Sequence, residues 1–150
     1  MAQSPQLAPK KTRKKVLFVC IGNSCRSQMA EALARHLASD VMEPASAGIS
    51  PLGHISDSTR KVLLERGVKM GHQFSKGLRE ADPDHAHLVV NMTGMPGKGL
   101  FPGADVVDWE VDDPFGEDLA TYRRACDEIE ALVNDLAVKL RKDRAEGAKK

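Results

Sequence analysis

Two reactive side chains, Cys20 and Arg26, stand six positions apart around Ile21-Gly22-Asn23-Ser24-Cys25, and a carboxyl, Asp113, precedes Pro114 far downstream. Five residues between a thiol and a guanidinium are enough to curl the backbone around one tetrahedral anion, with several N–H groups aimed at its oxygens. Gly22 and Asn23 tolerate the positive-φ geometry such a ring needs. Arg26 closes the ring with a planar, permanently charged fork that matches phosphate. Ile21, Gly22, Asn23, Ser24, Cys25 and Arg26 are therefore the expected phosphate-binding residues. The same positive field favours the thiolate of Cys20, the form that attacks. Ser27, just past the arginine, is placed to donate a hydrogen bond to the sulfur. Displacing an alcohol or phenol from phosphorus also calls for a proton donor, an effect typically worth ~10²- to 10⁴-fold. Asp113 is the best candidate, because Pro114 fixes how the preceding residue is presented. Its neighbour Asp112 repels it, which helps one of the two keep a proton, or else simply opens the last helix.

These groups need a scaffold. The apolar run Val16-Leu17-Phe18-Val19 predicts a buried strand over Lys15–Cys20, and a helix follows over Arg26–Ser39 with Met29, Ala30, Leu33 and Leu37 inward. The loop thus meets the positive end of a helix dipole and its unpaired first N–H groups. A second strand falls within Val41–Gly48, limited by Pro44. A turn over Ile49–Ser56 leads to a helix capped by Asp57, carrying Val62 and Leu63 and stopped by Gly67. Leu88–Met92 reads as a buried strand, Gly94–Gly103 as a loop and Val106–Trp109 as a fourth strand. A helix over Gly116–Leu140 carries the stripe Leu119, Tyr122, Cys126, Ile129, Val133, Leu136 and Leu140, which makes Cys126 a core residue. Strands alternating with helices predict an α/β fold with a parallel sheet covered on both faces, whose ligands bind beyond the carboxyl ends of the strands. Cys20 and the segment Glu110–Phe115 then reach the same rim.

The 150 residues make one domain, expected over 15–140, between a mobile basic N-terminal tail, 1–14, and a charged C-terminal tail, 141–150. With 22 basic against 21 acidic residues, no global field recruits nucleic acid. No run reaches membrane-spanning length and the start lacks an apolar signal region. Three cysteines form no pairing framework, so the expected compartment is a reducing cytoplasm. Asp84-His85-Ala86-His87 reads as a solvated turn rather than a metal site, so neither metal nor cofactor is expected. Nothing in the sequence specifies an oligomeric state.

The loop with its preceding strand, Ser46-Ala47-Gly48, and Asp113-Pro114, in this order and spacing, closely resemble the low-molecular-weight protein tyrosine phosphatase family over about Val16–Leu140. The resemblance implies a flavodoxin-like three-layer sandwich with a four-stranded parallel sheet and a phosphocysteine mechanism without metal. It implies Cys20 as nucleophile, Arg26 as the group that stabilises the transition state, and Asp113 as acid and then base. It also implies that Asn23 and Ser46 hold the loop's shape by side-chain hydrogen bonds, that Ser27 supports the sulfur, and that Cys25 can form a reversible disulfide with Cys20. The expected substrate is a phosphotyrosine protein or a small aryl phosphate.

Gly22 to Glu31 also looks like the loop and first helix of thioredoxin-coupled arsenate reductases. Those enzymes pass oxidation to cysteines just after the third strand, where this chain reads Asn91-Met92-Thr93-Gly94-Met95-Pro96. The reductase alternative therefore takes arsenate and an external thiol. The family's acid loop often continues with tyrosine, and many members carry an aromatic residue shortly after Ser-Ala-Gly. Here Phe115 follows the proline and Leu52 lies in the opposite segment, so these two form the expected substrate wall. That thinner wall leaves a second alternative, a catalytically weak phosphate-binding module.

Overall fold

The computed structural model describes residues 13–148. Four parallel strands, β1 (Lys14–Cys20), β2 (Met42–Gly48), β3 (Leu88–Asn91) and β4 (Val106–Asp108), are ordered β2-β1-β3-β4. In register, Cys20 lies opposite Gly48 and Val19 opposite Asn91, so the carboxyl ends converge on one rim. The edge position of β2 accommodates Pro44, which has no N–H for a second ladder.

Alternation along β1 sorts its side chains onto two faces. Val16, Phe18 and Cys20 pack with Met29, Leu33, Val62, Ile129 and Val133, which belong to α1 (Arg26–Ala38), α2 (Asp57–Glu65) and α5 (Leu119–Ala148). Leu17 and Val19 pack with Ala47, Val89 and Phe101, covered by α3 (Leu78–Ala81) and α4 (Gly97–Leu100). The result is the expected three-layer α/β arrangement. Phe18 is fully buried and tilted against Trp109, ring centroids 5.8 Å apart. Burying such a side chain contributes roughly 1.5–3 kcal/mol, which anchors the strand that presents Cys20.

Several boundaries differ from the sequence reading. Asp57 is the first helical residue of α2, with Ser56 at the N-cap position, so its carboxyl helps the dipole rather than capping it. The Gly94–Gly103 segment contains the short α4. The last helix begins at Leu119 and continues through the supposed C-terminal tail to Ala148. Its extension is held by Arg141, which donates to both oxygens of Asp40 at 2.9 Å and to Leu37 O at 3.1 Å, and by Arg144 on Asp40 O at 2.8 Å. The apolar stripe ends at Leu140, but tertiary charge pairing continues where periodicity stops. Of the expected N-terminal tail, 1–12 lie outside the described residues, and Lys14 already belongs to β1. Among the described residues no helix is long and apolar enough to cross a membrane.

Candidate active site

Between β1 and α1 the backbone must reverse around a point, and the network outside the ring shows how it is held open. The carbonyls of all six residues from Cys20 to Cys25 accept hydrogen bonds from outside the ring. Ile49, Ser50 and Leu52 donate backbone N–H groups to Cys20, Ile21 and Gly22 at 3.2, 2.9 and 3.0 Å. Gln28 Nε2 donates to Asn23 O at 3.2 Å. Ser56 N (3.2 Å) and Thr59 Oγ1 (2.9 Å) donate to Ser24 O, and Met29 N to Cys25 O at 2.9 Å. With every carbonyl drawn outward, the amides of Gly22 to Cys25 carry no hydrogen bond among the described residues. Buried amides without partners can serve as an anion cradle, reinforced by the α1 N-terminus, where Cys25 sits at the N-cap position without a side-chain cap.

Asn23 takes the left-handed conformation, φ 49°. Gly22 was expected to share that role; its φ is not positive, and its missing side chain instead makes room for Leu52, whose Cγ would stand 3.0 Å from an added Cβ. Gly48 is required by close approach, since a Cβ there would meet Ile21 O at 2.6 Å and Asn23 N at 2.8 Å.

Cys20 Sγ lies 2.9 Å from Ser27 Oγ, and both are buried. Asn23 Nδ2 donates to the same Oγ at 2.7 Å, so the Ser27 hydroxyl proton is left to point at sulfur. Arg26 Nη1 donates to Met92 O at 2.6 Å and Val111 O at 3.0 Å, which locks the guanidinium. Its buried Nε has no partner among the described residues, and Nη2 stands 3.6 Å from Asp113 Oδ2. One edge of the fork is thus fixed to the scaffold while the other is available to phosphate oxygens.

Asp113 accepts from Phe115 N at 3.1 Å across the buried Pro114, which holds its carboxyl over the loop. Asp112 instead lines a neighbouring hollow with Met95 and Glu110. A cleft of about 210 Å³ is bounded by Cys20, Ile21, Gly22, Ser24, Cys25, Arg26, Ser50, Leu52, Asp113 and Phe115. Leu52 and Phe115 are about half exposed and form its apolar walls. The Cys25 thiol is also free and lines this cleft; burial pushes it up from its ordinary range, partly offset by a hydrogen bond with Tyr122 at 3.5 Å. Cys126 is fully buried in the core as expected. His87 accepts from Lys15 N at 2.8 Å and His85 pairs with Asp82 at 2.6 Å, and no group of three ligating side chains clusters among the described residues.

Of the two residues expected to hold the loop's shape, Asn23 does so and Ser46 makes its side-chain bond elsewhere. Ser46 does not reach Asn23: it points with Phe18 toward α1 and donates to Glu31 Oε1 at 2.6 Å. The work assigned to Ser46 falls to Gln28 Nε2 and Lys76 N, each 2.9 Å from Asn23 Oδ1. Gln28 was legible only as a polar residue among the apolar positions of α1. Lys76 carried no signal, since its backbone N–H, not its side chain, does the work.

A family model described as low molecular weight phosphotyrosine protein phosphatase matches residues 15–146. The protein-arginine-phosphatase of Geobacillus stearothermophilus is 34% identical over 142 residues, covering 84% of this chain and 95% of that protein. Arsenate reductase 1 of Bacillus cereus (strain ATCC 10987 / NRS 248) is 34% identical over 128 residues, covering 83% and 95%. Among solved structures, the low molecular weight protein tyrosine phosphatase of T. tengcongensis superposes with a TM-score of 0.73 at 30% identity, covering 84% of this chain and 99% of that one.

Proposed function

This chain belongs to the low molecular weight phosphotyrosine protein phosphatase family, and from that premise we propose that it hydrolyses aryl phosphate monoesters, phosphotyrosine among them, through phospho-Cys20. The carrying observation is the ring whose six carbonyls are turned outward beneath a carboxyl, Asp113, that faces Arg26 across the cleft. In the first step Sγ forms a bond to phosphorus, the ester P–O bond breaks, and the leaving oxygen takes its electron pair and the Asp113 proton. Arg26 and the loop amides stabilise the charge on the equatorial oxygens. In the second, the Asp113 carboxylate takes a proton from water, the water oxygen bonds to phosphorus, and the S–P pair returns to a sulfur supported by Ser27. None of these steps calls on a metal or cofactor.

The apolar walls Ile21, Leu52 and Phe115 favour a phenolic leaving group. The protein-arginine-phosphatase relatives make phosphoarginine the competing substrate, for which Asp113 is the one carboxylate lining the cleft among the described residues. A cytoplasmic location is part of the reading, supported by three free cysteines of which one must stay reduced to act.

Release of p-nitrophenol from its phosphate should vanish in Cys20→Ser and fall about 10²- to 10⁴-fold in Asp113→Asn. Turnover that survives in Cys20→Ser refutes the mechanism. A phosphoarginine peptide cleaved faster than a phosphotyrosine peptide would overturn the aryl assignment. The likeness to arsenate reductases supports a second reading, arsenate reduction with an external thiol as two-electron donor. Among the described residues the cysteines at the cleft are Cys20 and Cys25, and the segment after β3 supplies no third cysteine to carry oxidation onward. Arsenite formation with glutathione or thioredoxin, exceeding aryl phosphate turnover, would favour it.

A further inference from the structure

We propose that Gln28 and Gln73 are positioning residues of the nucleophile, the middle links of a one-way chain of hydrogen-bond donors that starts at Arg35 and ends on Cys20 Sγ. Arg35 Nη1 donates to Gln73 Oε1 at 2.6 Å, and Gln73 Nε2 donates to Gln28 Oε1 at 2.7 Å. Gln28 Nε2 donates to Asn23 Oδ1 at 2.9 Å, Asn23 Nδ2 to Ser27 Oγ at 2.7 Å, and Ser27 Oγ stands 2.9 Å from the sulfur.

The direction is forced by chemistry at several points. Arginine has no acceptor, so Gln73 must turn its oxygen to Arg35 and its NH₂ inward. Gln28 Nε2 also faces Phe74 O (3.0 Å) and Asn23 O (3.2 Å), two acceptors that only an NH₂ satisfies. Lys76 N donates to Asn23 Oδ1 at 2.9 Å, which fixes that amide as well. Three amide dipoles therefore align head to tail, with Arg35, whose Nη2 also pairs with the buried Glu31, at the outer end and Cys20 Sγ at the inner one. Each link polarises the next, and cooperative strengthening is of order 10–30% per bond. Gln28, Asn23 and Ser27 are fully buried, so the chain runs through a low-dielectric interior, while Arg35 is exposed on the groove formed with His72, Gln73 and Phe74.

The inference rests on Cys20 acting as the nucleophile, so its readout is the sulfur itself and not turnover. The charged and titratable groups facing Cys20 are Arg26 from α1, Asp113 from the loop after β4 and Cys25 within the loop, and none is altered by the substitutions below. The rate of Cys20 carboxymethylation by iodoacetate would be followed by mass spectrometry of its peptide across pH 5–9. In Gln28→Leu alkylation at pH 6 should be slowed about threefold to tenfold; Gln73→Leu and Arg35→Leu should slow it by about twofold. Arg35→Lys should restore the rate, because it keeps a cationic donor.

Should Gln28→Leu fail to fold, the two outer variants carry the test, since Gln73 is only half buried and Arg35 is exposed. Alkylation profiles in Gln73→Leu and Arg35→Leu that superimpose on the wild type overturn the proposal, even if hydrolysis has dropped. Expected alkylation shifts in a protein that hydrolyses no phosphate ester would support the donor chain and count against the phosphatase reading alone.

Discussion

Gly48→Ala isolates the contact between the end of β2 and the loop from Cys20 to Arg26. An alanine Cβ would stand 2.6 Å from Ile21 O and 2.8 Å from Asn23 N, both backbone atoms that no rotamer change can move. Reaching an ordinary contact requires the loop to retreat by roughly half an ångström. Ile21 O is already bonded to Ser50 N, and Asn23 is held by Gln28, Lys76 and Ser27, so the strain falls on the ring itself. Overpacking of this kind costs typically 1–3 kcal/mol, or about 2–12 °C in Tm for a chain of this size. If a 1 Å misplacement costs ~10²-fold in rate, half of it should lower kcat/KM for p-nitrophenyl phosphate by about tenfold. Gly99→Ala is the control, because an added Cβ there meets nothing within 4 Å. The measurements are steady-state kinetics and thermal unfolding on all three proteins. A Gly48→Ala variant with wild-type kcat/KM would refute the claim that the β2 end sets the loop's shape.

Two further outcomes follow from groups outside the loop. The hydrogen-bonded Arg141 guanidinium beside Asp40 holds its carboxyl below its ordinary value near 3.8. A depressed carboxyl contributes stability that is fully present above its unfolded pKa and lost as pH falls through its folded one. The pair is about two-fifths exposed, so screening limits it to about 1 kcal/mol or less. Urea melts should show Asp40→Asn less stable than the wild type at pH 7 and the gap closing below about pH 4; a gap that widens in acid contradicts the assignment. Burial in the core pushes the Cys126 thiol up to about 11. At pH 8 only about one thiol in a thousand would be ionised there, so iodoacetamide should label Cys20 and leave Cys126 untouched in the folded protein; equal labelling would contradict that burial.

The candidate site was legible because its loop is local in sequence. A thiol, five residues and an arginine between an apolar strand and a helix point to a ring-shaped loop through backbone geometry alone, and the proline made Asp113 the preferred carboxyl. The order of elements likewise implied a parallel sheet, since alternating strands and helices have few other ways to bury both faces. Tertiary structure decided everything that depends on distance along the chain. Whether Asp112 or Asp113 faces the cleft is set by how the segment after β4 folds back over Arg26. The support of Asn23 passed from Ser46 to Gln28 and a backbone N–H of Lys76, because the pleat turns Ser46 toward Glu31 and places 73–77 behind the loop. The last helix outran its apolar stripe because Asp40, about a hundred residues earlier, meets Arg141. Periodicity reports which face of an element is buried; it carries no record of the partner that a distant segment brings to that face, and in this chain those partners hold the reactive loop in shape.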